Sequence, residues 1–185
     1  MANTRETHRI DIAGVTRDLR LFEVKPGVRI AILNILGDTE LVEAAAVALA
    51  EKLKPTDPQV LVTAEAKSIP IAHALSRVMH LPYVVLRKSY KPYMGDAVKA
   101  ETLSITTGEP QTLFLDEKDV AVVGGRRVVI LDDVISTGST LQAMRLILQK
   151  AGAQVVAEAA ILTEGDRARW TNVVSLGHLP VWVDE

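Results

Sequence analysis

The chain has 185 residues, the length of one ordinary domain, and its 48% hydrophobic and 24% charged residues describe a core with a solvated surface, which excludes a largely disordered chain. A formal net charge of -2, from 21 Lys+Arg against 23 Asp+Glu, lacks the basic excess that binding a nucleic-acid duplex demands, so nucleic acid is not expected as a partner. With no Cys, disulfide frameworks, thiol catalysis and thiolate metal sites fall together, and a reducing, cytoplasmic location is expected.

Along the chain, Met1 to Asp11 is polar with both charge signs and lacks the basic-then-apolar order of a signal peptide. The longest apolar stretch, Ala44 to Ala50, is far below the roughly 18 residues of a bilayer span, so no membrane role is expected. Leu41, Ala45, Leu49 and Leu53 recur at helical spacing between Asp38, a capping residue, and the breakers Pro55 and Pro58, which predicts a helix over Asp38 to Lys54. Gln59 to Thr63 predicts a short strand, then a polar loop, then a helix from Ile69 to His80 with Pro70 in its first turn. Pro82 to Lys88 has the continuous apolar centre of a strand covered on both faces.

From Ser89 to Asp116 the alternation breaks. Glu101 to Thr106 and Gln111 to Asp116 flank the turn-prone Thr107-Gly108-Glu109-Pro110, and the segment reads as an inserted β-hairpin, either a lid or a decorated sheet edge. Arg126 to Leu131 is again a covered strand. Ser139 to Ala151 is a helix with Leu141, Met144, Leu148 and Ala151 on one face, Gly152 closes it, and Val155 to Thr163 is a further strand. Strand and helix in alternation predict an α/β fold, a parallel sheet with helices on both faces.

The string Val128 to Thr140, VVILDDVISTGST, carries the chemistry. An apolar strand runs into two acids and then into a small-residue loop that opens a helix, the junction where open α/β sheets bind ligands. Ser136, Thr137, Gly138, Ser139 and Thr140 offer hydroxyls and backbone N–H groups to an anion at the positive end of a helix dipole. Asp132 and Asp133 would repel that anion on contact, and are better employed accepting from sugar hydroxyls nearby. Singly, these residues equally describe a strand-end acid pair with a Ser/Thr cap and a glycine turn; as one string they describe a ribose 5-phosphate cradle. There is no Gly-x-x-x-x-Gly-Lys-Ser/Thr or Gly-x-Gly-x-x-Gly string, and Gly124-Gly125 precedes a strand, as a turn would. His8, His73, His80 and His178 have no metal-ligand spacing, and Trp170 and Trp182 read first as packing residues.

The string resembles the phosphoribosyl-pyrophosphate (PRPP) motif of the type I phosphoribosyltransferases. That resemblance implies a parallel sheet flanked by helices, an inserted β-hairpin loop over residues 89–116, and a small hood from about residues 1–37 and 164–185, all within one domain of 1–185. It implies that Asp132 and Asp133 act in catalysis by holding the ribose hydroxyls, and that they touch Mg²⁺ only indirectly, through PRPP and water. It places the 5-phosphate on Ser136 to Thr140 and the pyrophosphate on the loop after the first core strand, at Ala66, Lys67 and Ser68. Arg87 and Lys88 look like the Arg-Lys pair of adenine- and xanthine-type members, with Lys88 the preferred pyrophosphate contact and a catalytic residue.

Leu103 to Gly108 resembles the hairpin strand of adenine phosphoribosyltransferases, with Thr106 where that group carries a catalytic Glu. Leu33-Asn34 and Asp38-Thr39-Glu40-Leu41 resemble the hood of xanthine phosphoribosyltransferases, although Glu164 is followed by Gly165 where that group has Lys. Leu33, Asn34 and Glu164 are the implied base contacts. The implied activity is transfer of ribose 5-phosphate from PRPP to a purine of adenine or xanthine type, in purine salvage, by a homodimer that needs Mg²⁺. The alternative is a non-catalytic PRPP- or nucleotide-binding regulator of the same fold.

Overall fold

The computed structural model describes residues 6–103 and 110–184. The chain opens with an antiparallel meander, β1 (Thr7–Ile12), β2 (Val15–Lys25) and β3 (Val28–Ala31). The β1–β2 turn is Ala13-Gly14, both at positive φ (55° and 83°), the two-residue geometry that matches the twist of a hairpin. Helix α1 (Thr39–Leu53) follows, buries Leu41, Val42, Ala45, Ala46, Leu49, Ala50 and Leu53, and ends in a short 3₁₀ turn at Lys54–Thr56.

The N-cap of α1 is Asp38, whose carboxylate accepts from Leu41 N at 3.3 Å and from Arg17 Nε and Nη2, each at 2.8 Å. The Arg17 guanidinium holds this carboxyl below its ordinary range despite partial burial. Its contribution is therefore present at neutral pH and lost on acidification. Asp38→Ala is expected to cost about 1–2 kcal/mol by urea unfolding at neutral pH, the usual cost of removing a good cap. A loss below a few tenths would mean that the cap does not hold α1.

The core is a five-stranded parallel sheet, ordered β10-β9-β8-β4-β5: β4 (Val60–Ala64), β5 (Tyr83–Leu86), β8 (Arg127–Ile135), β9 (Gln154–Glu164) and β10 (Val174–Leu179). Side chains alternate across it. Leu61, Val129 and Leu131 join α1 and α2 (Ile69–Met79) in one apolar cluster, while Val60, Val62, Val128 and Ile130 join α4 (Ser139–Lys150) in another. Burial on both faces explains why these strands read as unbroken apolar runs.

β8 extends beyond the predicted Leu131, because Val134 and Ile135 continue the ladder to Leu162 and Thr163 of β9. The acid pair therefore lies within a strand. The hairpin is β6 (Val98–Leu103) with β7 (Pro110–Leu115), starting three residues before the predicted Glu101 because Val98 and Ala100 pack toward α4. A short helix, α3 (Glu117–Val123), leads back to β8. Of residues 164–185, Val174–Leu179 edges the parallel sheet, whereas β11 (Val181–Val183) crosses to pair with β3 and completes the four-stranded antiparallel sheet β1-β2-β3-β11. Among the described residues no helix is long and apolar enough to cross a membrane.

Candidate active site

The strand order creates the site. From β4 the chain steps outward to β5, then returns to the other side of β4 as β8, so the loops leaving β4 and β8 run in opposite directions and open a crevice between them. The β4 loop passes through a cis Glu65–Ala66 peptide bond and reaches the acid pair. Ser68 Oγ donates to Asp132 Oδ1 at 3.1 Å, and Lys67 Nζ lies 3.4 Å from Asp133 Oδ2. Adjacent strand residues point to opposite sides, which gives the two carboxylates different partners.

Burial and then the charge of Asp133 push the Asp132 carboxyl up to about 7, outweighing the hydrogen bonds from Asp133 N and Ser68. Asp133 is itself buried, and its Oδ2 lacks a hydrogen bond, since Lys67 is near enough for an ion pair but not aligned to donate. A buried carboxylate oxygen held only by an ion pair gains from any further donor brought to it.

In the β8–α4 loop, Gly138 takes the left-handed conformation (φ 82°) as N-cap of α4. Thr137 Oγ1 and Ser139 Oγ are 3.1 Å apart, and Ser139 N points to Thr137 Oγ1 at 3.4 Å. Hydroxyls and the first N–H groups of a 12-residue helix thus gather at one end of the crevice, an arrangement suited to an anion. Ser136 lines the crevice with Asp133, and Thr140 opens the helix.

A cavity of about 180 Å³ joins these parts, lined by Lys67, Asp133 and Ser136, by Glu164 from the end of β9, and by Ile30 to Leu33 from the antiparallel sheet. Burial pushes the Glu164 carboxyl above its ordinary range. One wall is apolar and the other carries acids, a base and hydroxyls, as a pocket for a flat heterocycle on a sugar would require.

Residues 32–173 match the phosphoribosyl transferase domain. The chain belongs to the phosphoribosyltransferase family. A hypoxanthine/guanine phosphoribosyltransferase of Methanococcus voltae is 42% identical over 106 residues, 57% of this chain and 53% of that protein. The chain thus spans about half the length of that relative. An adenine phosphoribosyltransferase of Thermosipho africanus is 31% identical over 174 residues, 90% of this chain and 98% of its own. The crystal structure of the adenine phosphoribosyltransferase of Thermoanaerobacter pseudethanolicus superposes with a TM-score of 0.67 at 19% identity, covering 94% of this chain and 95% of that one, a likeness of fold.

Within this phosphoribosyltransferase fold the remaining residues singled out in the sequence take distinct positions. Leu33 is buried in the cavity wall, whereas Asn34 is exposed, accepts from Leu36 N (3.2 Å) and lines an adjoining cleft that shares Ile32 and Leu33 with the cavity. Arg87 Nε is paired with Glu65 at 2.6 Å, and Lys88 N donates to the same carboxylate at 2.6 Å. Burial of Glu65 raises its carboxyl, but these bonds overcome it and hold the group below its ordinary value. Lys88 projects from the strand end with its side chain exposed.

The hairpin is anchored at its base. Ala100, Leu113 and Leu115 are buried in the α4 cluster, and Arg87 and Phe114 exchange two backbone hydrogen bonds of 2.8 Å. Residues 104–109, with the predicted strand end and Thr106, lie outside the described residues. Sequence reasoning missed the contacts of Trp170 and Arg169. Trp170 Nε1 donates to Glu164 O at 2.9 Å, and Arg169 Nη2 donates to Thr137 O at 3.2 Å. No local pattern signals either bond: one runs from a side chain to a backbone oxygen at the end of β9, and the other crosses to the β8–α4 loop.

For Mg²⁺ the donor set fits in one way. Among the described residues no group of three or more His, Asp or Glu side chains could hold a metal. The carboxylates of Asp132 and Asp133 suit an oxygen-seeking ion that arrives already carrying phosphate oxygens.

Proposed function

We propose that this protein transfers ribose 5-phosphate from PRPP to a purine base of adenine or xanthine type, releasing pyrophosphate and forming a nucleoside monophosphate. The observation that carries this reading is the cavity in which Lys67, Asp133, Ser136, Glu164 and Leu33 converge from four separate stretches of chain, with Asp133 Oδ2 ion-paired to Lys67 and accepting no hydrogen bond. Asp132 and Asp133 accept from the ribose hydroxyls. Ser136, Thr137, Gly138, Ser139 and Thr140 bind the 5-phosphate through N–H groups and hydroxyls at the α4 terminus. Ala66, Lys67, Ser68, Arg87 and Lys88 take the pyrophosphate, with Lys88 the exposed cation and Lys67 exchanging Asp133 for the leaving group.

In the transfer the C1–O bond breaks and its electron pair departs with pyrophosphate, the lone pair of a base ring nitrogen forms the new C1–N bond, and the ring N–H proton the base gives up passes to the departing pyrophosphate. Positive charge builds on the ribose ring beside the two carboxylates, and negative charge builds beside the cations, so positioning and electrostatics supply the catalysis. When bound with PRPP, Mg²⁺ neutralises charge on the leaving group. Leu33 supplies an apolar face to the base, Glu164 a hydrogen-bonding edge, and Asn34 a contact at the rim. The hairpin over 89–116 shields the sugar from water. The active form is a homodimer in the cytoplasm.

Incubation with PRPP, Mg²⁺ and each of adenine, xanthine, hypoxanthine, guanine and uracil tests this directly. Nucleotide and pyrophosphate are expected with a purine and not with uracil. PRPP saturation with no pyrophosphate release from any base would instead identify a regulator.

A further inference from the structure

The 3₁₀ turn Arg167–Trp170 touches both ligand-facing strand ends, and it does so at backbone atoms. Trp170 Nε1 donates to Glu164 O at 2.9 Å, fixing the last residue of β9, whose carboxyl faces the cavity. The same indole occupies the space beside Gly138, where an added Cβ would come within 2.9 Å of Cη2. Arg169 Nη2 donates to Thr137 O at 3.2 Å, and its guanidinium carbon lies 5.0 Å from the Trp170 ring centre, within cation–π range. Asp166 sets the turn by accepting from Ala168 N at 3.0 Å. Trp170 also packs against the edge of the α4 apolar cluster. Its polar bond and that of Arg169 nevertheless end on the main chain, at the last residue of β9 and in the β8–α4 loop.

We propose that Trp170 and Arg169 are positioning residues, a clamp that holds the β8–α4 loop and the end of β9 at a fixed separation, and so keeps the sugar phosphate and the base in register. This rests on the phosphoribosyl transfer proposed above. Arg169 acts on the phosphate side through Thr137, Trp170 on the base side through Glu164, and the stacked pair links the two. Misplacement of either loop disturbs a reaction that depends on near-attack geometry more than it disturbs the fold.

The test separates the two sides. Trp170→Phe keeps an aromatic ring and loses the donor; it is expected to raise KM for the base about three- to tenfold and leave ribose 5-phosphate affinity near the parent's. Arg169→Met is expected to weaken ribose 5-phosphate binding by a similar factor, measured by calorimetry. A merely structural role would lower the thermal midpoint without this split. The chain has two Trp, so Trp182→Phe leaves Trp170 as the sole indole. Its emission is expected to shift on titration with ribose 5-phosphate, saturating at the calorimetric Kd. The kinetic split is read in the native background, so it stands whether or not that variant folds. If ribose 5-phosphate binds while the emission stays flat and both substitutions leave KM and Kd unchanged, the clamp is wrong and the functional reading survives. If the parent binds no ribose 5-phosphate, the functional reading itself fails and the clamp falls with it.

Discussion

Gly138→Val is expected to abolish detectable ribose 5-phosphate binding while the chain still folds. Two effects act at this position. The residue sits at φ 82°, which a β-branched side chain adopts at a cost of about 1–3 kcal/mol. Its Cβ would also meet Trp170 Cη2 at 2.9 Å, and that ring is held by Glu164 O on one side and covered by Arg169 on another, so it cannot swing away freely. The loop must yield, and its yielding turns the first N–H groups of α4 away from the anion. The sequence alone suggests that bulk at Gly138 would block the approach of phosphate; the structure places the obstruction behind the loop. Calorimetry with ribose 5-phosphate, alongside circular dichroism for the fold, decides the matter, and a folded variant with the parent's affinity would remove residues 136–140 from the phosphate site.

Asp133→Asn should weaken ribose 5-phosphate binding by about ten- to a hundredfold, the worth of one charge-assisted hydrogen bond. It should also make the free protein more stable at alkaline pH. Asp132 is pushed up to about 7 by burial and by the charge of Asp133. A carboxyl raised in this way keeps its proton in the folded chain after the unfolded chain has lost it. The stability it contributes is full below the ordinary carboxylate range and is lost as pH rises through about 7. Removing the neighbouring charge lowers the Asp132 carboxyl and relieves that loss. Between about pH 5.5 and about pH 8, the parent's thermal midpoint is therefore expected to fall further than the variant's. Parallel pH profiles would show that the two carboxylates are not electrostatically linked, and undiminished affinity would take Asp133 out of the sugar site. Such a variant would be steadier and less able, the usual relation between a binding site and the fold that carries it.

What the sequence disclosed depended on whether the cause was local. Helices α1 and α4 were legible because each repeats apolar residues at helical spacing, α2 because Pro70 marks its first turn, β4 and β5 because burial leaves an unbroken apolar run, and β9 because apolar residues flank Glu158. Val128 to Thr140 was legible because strand, acids and loop are contiguous. In Val15–Lys25 the inward residues Val15, Leu19 and Leu21 alternate with Thr16, Asp18 and Arg20, a strand signal that a search for apolar runs passes over; Ala13-Gly14 marks its turn. The pairing of Lys67 with Asp133, of Ser68 with Asp132, and of Trp170 with Gly138 joins residues separated by 30 or more positions. Only the folded chain brings them together.

The antiparallel sheet that roofs the cavity has a history in time as well as a place in space. Val181 pairs with Ile30 and Val183 with Val28, so its last strand is drawn from the opposite end of the chain from its first three. Contacts of such long sequence separation close late, after the more local strand–helix units have formed. The parallel sheet and its flanking helices can therefore form while the antiparallel sheet still awaits residues 181–183.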